Sequence, residues 1–225
     1  ATAGTLIVSR DDAVLATDFR YTEQAELQAP AFRVQQIRSQ LKWLPELLSG
    51  MDASNVGIEA DDMTIASLER VKKAFSEDGE NAVEPTFTNT SGIGAEIRAI
   101  KDPEELALLE KAIQMGDRAF DDVSARIEPG VVESEVAWEI EKSIREQGAE
   151  SLSFETIVGS GPNGARPHHL AGDRILQAGE PIVIDMGCQY HGYCSDLTRT
   201  IVLGEPDDEF KKIYDITLTA QLAAI

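Results

Sequence analysis

The clearest pattern of apolar and polar positions lies between Pro181 and Leu203. Two β-rich runs, Pro181-Ile-Val-Ile-Asp-Met and Leu197-Thr-Arg-Thr-Ile-Val-Leu, flank a short polar turn at Tyr190-His191-Gly192. Two such runs joined by a short polar turn predict a β-hairpin. The same reasoning predicts an N-terminal hairpin from Gly4-Thr-Leu-Ile-Val-Ser and Ala13-Val-Leu-Ala-Thr, joined through Arg10-Asp-Asp, and a short strand at Asn55-Val-Gly-Ile-Glu-Ala. Helical spacing takes over elsewhere. It covers Ile37 to Leu48, where Pro45 suggests a kink or restart, and Met63 to Phe75, with Ile65, Leu68, Val71 and Phe75 on one face.

Further on, Asp102 suits an N-cap, Pro103 the first helical position, and Glu104 and Glu105 the positive end of the helix dipole. Leu106, Leu109, Ile113 and Phe120 form the expected core stripe of that helix. A second helix runs from Glu133 to Arg145 with Val136, Ile140 and Ile144 inward and Trp138 expected in the core. Glu209 to Ile225 reads as a last helix that stops without a capping residue, so the chain is expected to end mid-element.

Strand and helix alternate through the first part, and a polar, Gly-containing stretch from Gly79 to Gly94 suits a linker or domain edge. The expected fold class is therefore α+β. A small α/β domain occupies residues 1–93, and residues 94–225 form a second domain in which two helices pack against an antiparallel sheet.

Charge narrows the partners. Forty acidic against twenty basic residues give a net charge of −20, which repels phosphate backbones and anionic membranes. Nucleic acid is not an expected partner. No apolar run is long enough for a membrane span and no leader is recognisable, so a cytoplasmic location is expected. Arg20 and Tyr21 read as structural, the Arg70, Lys72 and Lys73 run as a solvated face, and His191 as a turn residue.

Asp185 and Asp196 lie eleven residues apart and almost equidistant from the turn, so antiparallel pairing sets them nearly opposite each other on one face. Facing carboxylates repel unless a proton or cation lies between them, and hard divalent cations favour clustered carboxylate oxygens. Two solvated aspartates are the alternative. Cys188 and Cys194 mirror each other about the same turn; a disulfide is conceivable, and two reduced thiols suit a cytoplasmic chain better. The Gly-rich Val158-Gly-Ser-Gly-Pro-Asn-Gly lacks the Lys-Ser/Thr pair of a phosphate-binding loop. His168 is either a structural or exposed imidazole or an acid-base group.

Several strings resemble the pita-bread metallopeptidases, the family of aminopeptidase P, prolidase (Xaa-Pro dipeptidase) and methionine aminopeptidase. They are Ile184-Asp-Met-Gly, Ser195-Asp-Leu-Thr-Arg-Thr, Ala165-Arg-Pro-His-His, Thr17-Asp-Phe-Arg-Tyr and Ile97-Arg-Ala-Ile-Lys-Asp-Pro-Glu-Glu. The N-terminal α/β domain, with its Thr17 string, and the Ala165 and Ser195 strings point to the aminopeptidase P and prolidase branch over methionine aminopeptidase. The resemblance implies the N-terminal part of a creatinase/prolidase-like domain followed by the first half of a pita-bread catalytic domain, the chain being truncated at both ends. It implies two divalent metal ions, manganese first with zinc or cobalt as alternatives. Asp185 would hold one metal in bidentate fashion and Asp196 would bridge both. His168 would donate a hydrogen bond near the reacting carbonyl, while the Gly-rich segment lines the substrate cleft and His169 occupies a variable neighbouring position.

The implied activity is cleavage of the Xaa-Pro bond in proline-containing peptides or dipeptides by a full-length homo-oligomer, a dimer. These 225 residues, with two of the five ligands, would be inactive alone. A metal-free pita-bread protein, either a creatinase-like hydrolase or a peptide-binding module, is the competing class. Relatives of that kind commonly lack both aspartates.

Overall fold

The computed structural model describes residues 4–38, 41–77 and 84–225. The chain divides into two compact units, Ala1–Ala99 and Ile100–Ile225.

In the first unit, β1 (Thr5–Val8) and β2 (Ala13–Thr17) form the expected antiparallel hairpin, followed by α1 (Thr22–Gln28) and β3 (Arg33–Gln36). β3 pairs in parallel with β2, and the Ile37 amide extends that ladder by donating to the Thr17 carbonyl at 2.8 Å. The helix expected from Ile37 therefore starts later, as α2 (Trp43–Gly50). Pro45 lies in its first turn, where a missing N–H breaks no intrahelical bond, and is buried rather than kinking the helix.

β4 (Asn55–Glu59), α3 (Ile65–Glu77), β5 (Thr86–Thr90) and α4 (Ile93–Ala99) follow. β5 pairs in parallel with β4, so the described part of the Gly79 to Gly94 stretch is strand and helix rather than open linker. Its Thr-Phe-Thr-Asn-Thr alternation fits a half-buried strand; residues 79–83 of that expectation lie outside the described residues. Leu44, Leu48 and Phe75 form the local core, and the Phe75 and Phe87 rings meet edge-on at 6.0 Å. Arg20 pairs with Asp18 at 2.7 Å and lies over the Tyr21 ring, which gives both residues local partners.

The second unit opens with α5 (Pro103–Ser124), entered through a full capping box: the Asp102 carboxylate accepts from the Glu104 and Glu105 amides, and Glu105 accepts from the Asp102 amide. α6 (Glu133–Glu146), β6 (Ser151–Leu152) and β7 (Ile157–Ser160) come next, and a 3₁₀ turn spans Gly161–Ala165. Then come β8 (Pro181–Met186), β9 (Cys188–Tyr190), β10 (Tyr193–Cys194), β11 (Leu197–Val202) and α7 (Asp208–Ala224). β8 lies between β7 and β11, antiparallel to both, and β9 lies between β6 and β10. The turn residues His191 and Gly192 have φ of 48° and 82°, the left-handed pair that matches the twist of a two-residue hairpin.

Ile182, Ile184 and Met186 point from β8 into a core shared with Val136, Ile140 and Ile144 of α6. The face of α5 in this core differs from the expected one. Ala112, Met115, Gly116, Ala119 and Val123 are buried, whereas Leu106 and Ile113 are 52% and 46% exposed. Small residues win because the helix backbone approaches the sheet closely: the Cys188 thiol donates to the Ala112 carbonyl at 3.2 Å, and a Cβ at Gly116 would lie 3.4 Å from Ser195 Oγ. Trp138, on the side of α6 away from its buried stripe, is 60% exposed rather than in the core.

Met115→Ala should therefore cost about 2–5 kcal/mol of stability, as large-to-small core changes do, while Ile113→Ala should cost less than about 1 kcal/mol. Urea midpoints of the two variants check this ordering; equal losses would restore the stripe expected from the larger side chains.

Candidate active site

The β8–β11 hairpin pairs Asp185 with Thr198 and Leu197 with Met186, and the β9–β10 end keeps the same register, with Cys194 opposite Gln189. That register decides two expectations. Cys188 and Cys194 are one residue out of step, so they take opposite faces: Cys188 is buried, Cys194 exposed, and both are free thiols. No disulfide joins them. Burial pushes the Cys188 thiol pKa up, which keeps it protonated and unreactive.

Asp185 and Asp196 are two residues out of step, which makes them diagonal neighbours of one side of the hairpin rather than directly opposed. That side carries Asp185, Val183, Thr198 and Thr200 and lies opposite the one packed on α5 and α6. Thr198 Oγ1 donates to Asp185 Oδ1 at 2.8 Å and orients the half-buried carboxylate. Asp196, in the link between β10 and β11, is exposed.

Gly187 permits the hairpin its shape, because a Cβ there would collide with the Ser195 carbonyl oxygen. Ser153 Oγ donates to that oxygen at 2.8 Å, and the Ser195 amide donates to the Cys188 carbonyl at 2.9 Å.

His168 is exposed in the segment after the 3₁₀ turn. That turn lies over the Asp185 side of the sheet, since a Cβ on Gly164 would come within 3.4 Å of Val183 Cγ2. Among the described residues, no three His, Cys, Asp or Glu side chains come together as a cation site. Two oxygen-only donors fit a hard divalent cation in kind and leave most of its shell to other ligands.

Sequence reasoning missed the most heavily bonded side chain of this region. Glu133, the first residue of α6, is completely buried. Its Oε1 accepts from the Ser160 amide (2.8 Å), Ser160 Oγ (2.7 Å) and Asn163 Nδ2 (3.0 Å). Its Oε2 accepts from Asn163 Nδ2 (3.1 Å), His169 Nε2 (2.7 Å) and the Gly172 amide (3.4 Å). Burial alone would raise the carboxyl pKa; the donors from Ser160, His169 and Asn163 outweigh it and bring the group from 4.5 to about 2. Arg174 extends the network, donating to Ser160 Oγ at 2.6 Å and pairing with Glu180 at 2.7 Å. A signal was present: Glu133 continues the buried stripe Val136, Ile140, Ile144 by one helical step, so the spacing itself points the carboxylate inward.

Residues 107–225 match metallopeptidase family M24. The chain belongs to that family. Residues 1–100 match the creatinase/prolidase N-terminal domain, so an N-terminal domain of that type precedes part of an M24 domain. An uncharacterized peptidase of Bacillus subtilis is 35% identical over 99% of this chain and 62% of its own length. An Xaa-Pro dipeptidase from Bacillus anthracis superposes with a TM-score of 0.90 at 38% identity, over 99% of this chain and 61% of that one. An X-Pro aminopeptidase from Thermotoga maritima gives 0.86 at 32%, over 97% and 60%. A prolidase from Pyrococcus furiosus gives 0.82 at 31%, over 97% and 61%. The chain thus spans about three fifths of the M24 relatives it matches. No helix among the described residues is long and apolar enough to cross a membrane.

Because the folded pKa of Glu133 is depressed, its contribution is fully present above pH 4.5 and is lost as pH falls through about 2. Glu133→Gln should lower stability by roughly 3 kcal/mol near neutrality, and the gap to the parent should narrow as pH drops across that window. Urea midpoints of both proteins against pH check this; a gap independent of pH would contradict an ionised Glu133.

Proposed function

We propose that the full-length protein is a divalent-metal-dependent peptidase that hydrolyses the Xaa-Pro bond of proline-containing peptides. The observation that carries this reading is the pair of carboxylates on one side of the hairpin, with the 3₁₀ turn that precedes His168 lying against Val183 of the same side, in an M24 chain. Neighbours titled Xaa-Pro dipeptidase, X-Pro aminopeptidase and prolidase support the proline specificity.

Asp185 and Asp196 would hold the metal ions, manganese first and zinc or cobalt as alternatives. A divalent cation bound there supplies Lewis-acid polarisation of the scissile carbonyl and lowers the pKa of water. Thr198 fixes one Asp185 oxygen, so less freedom is lost when that carboxylate takes up a ligand. His168, exposed in the segment that follows the 3₁₀ turn, would donate an N–H to the carbonyl oxygen as negative charge develops on it. The Gly159 to Gly164 backbone brings that turn close to the sheet; Cβ atoms at these two glycines would press on main-chain atoms at 3.1–3.2 Å.

In the full-length protein, Asp196→Ala should abolish both metal binding and Xaa-Pro cleavage. His168→Ala should keep the parental metal content and lose about 10²–10³-fold in turnover, the usual loss of one oxyanion-side donor. Metal analysis and kinetics on both variants decide this, and metal loss in the His168 variant would contradict its assignment. The 225 residues alone, assayed with an Xaa-Pro dipeptide and Mn²⁺, should show no turnover. Turnover there would mean that the two aspartates are not part of a larger ligand set.

A further inference from the structure

We propose that Glu133 is a positioning residue for His168: acting through His169, it fixes the segment after β7 so that the His168 imidazole is held at the edge of the Asp185 side. The inference rests on the reading of His168 given above.

From Gly161 to Ile175 no residue is buried, and the small Ala171 is the hydrophobic residue of the segment that packs against the core. Loops without buried side chains ordinarily sample many conformations, and ordering each residue costs about 1–2 kcal/mol in backbone entropy. What orders this one is mainly polar. Glu133 binds it at Asn163, His169 and Gly172, three points spread along its length, and binds Ser160 at the end of β7 just before it. The start of α6 adds two more ties, because the Glu133 and Ser134 amides donate to the Arg174 and Gly172 carbonyls, each at 3.0 Å. The free N–H groups of a helix N-terminus are thereby used to hold the loop.

His169 is the tie nearest His168, and it is fixed at both ends. Its amide donates to the Arg166 carbonyl at 3.1 Å, and the Arg166 amide in turn donates to the Asn163 carbonyl at 3.0 Å. Its side chain, 10% exposed, meets Glu133 at 2.7 Å. Since Glu133 is a carboxylate, Nε2 of His169 must carry the proton that is shared. His168 therefore follows a residue chain pinned at 163 and 166 and precedes one pinned at 169. Between the 3₁₀ turn packed near Val183 and the core contact of Ala171, these bonds are what give the exposed imidazole a defined place. Displacements on the order of 1 Å at a reacting group cost about 100-fold in rate, so the anchor matters to turnover more than to the cation, whose proposed ligands lie on other elements.

The test uses the full-length protein and a double-mutant cycle: parent, Glu133→Gln, His168→Ala and the double variant, each measured for kcat and KM on an Xaa-Pro dipeptide and for bound Mn²⁺. Glu133→Gln should keep bound Mn²⁺ and lower kcat by about 10-fold or more, whereas in the His168→Ala background it should change kcat by no more than about twofold. His169→Gln, whose amide can reach the place of Nε2, should retain most of the turnover that His169→Ala loses, and this pair carries the same decision should Glu133→Gln fail to fold. Equal fold losses in both backgrounds would overturn the proposal, making Glu133 a general support of the fold. Parental turnover in His168→Ala alone would overturn the functional reading of that histidine, and the proposal with it.

Discussion

At Gly187 the hairpin can close only because no Cβ is present where the Ser195 carbonyl passes. The rest of the second unit depends on that close approach. It holds the two strands in one register from Tyr190 and Tyr193 at the turn to Pro181 and Val202 at the far end. Because side chains alternate with a period of two, the register assigns every residue to a face. Ile182, Ile184, Met186 and Cys188 go to the core beneath α5 and α6. Asp185, Thr198 and Thr200 go to the open side, with Asp196 a diagonal step from Asp185. A slip of one residue would bury the carboxylate of Asp185 and expose the apolar set, a change no local rearrangement could offset.

Two parts of this unit are organised by different forces. Between helix and sheet, close packing of Ala112, Met115, Gly116 and Ala119 supplies the stability, and the small residues set the distance. Beyond the end of β7, the segment that carries His168 is held by a buried, ionised Glu133 and its ring of donors. A charge removed from water is tolerated only when such donors converge on it, so the network fixes direction as well as energy. The helix–sheet core could be repacked with other apolar residues; the polar part offers few substitutions that satisfy the same atoms.

How far the sequence could be read follows from this division. Two β-rich runs around a polar turn in Pro181–Leu203 made the hairpin legible, and the strings around Asp185 and Asp196 pointed to the family that the match over residues 107–225 establishes. Face assignments within that hairpin needed the register, which mirror symmetry about the turn gives only to within a residue or two; hence Cys188 and Cys194, mirrored in the sequence, take opposite faces. The capping box at Asp102 was readable because it is local. The buried stripe of α5 was not, because size was used as the guide to burial whereas the helix approaches its sheet through alanine and glycine. β5 was hidden by polar residues whose β-branched character outweighed their polarity. Glu133 was read only as the first residue of its helix, although its place in the Val136–Ile140–Ile144 stripe marked it as inward.

On the proposed reading, one hairpin register makes Asp185 and Asp196 ligands of the same metal centre. Anomalous diffraction from crystals of the full-length protein grown with Mn²⁺ decides it. A manganese peak should lie within bonding distance of carboxylate oxygens from both Asp185 and Asp196, on the side of the sheet away from α5 and α6. Manganese bound elsewhere, or touching neither carboxylate, would contradict it.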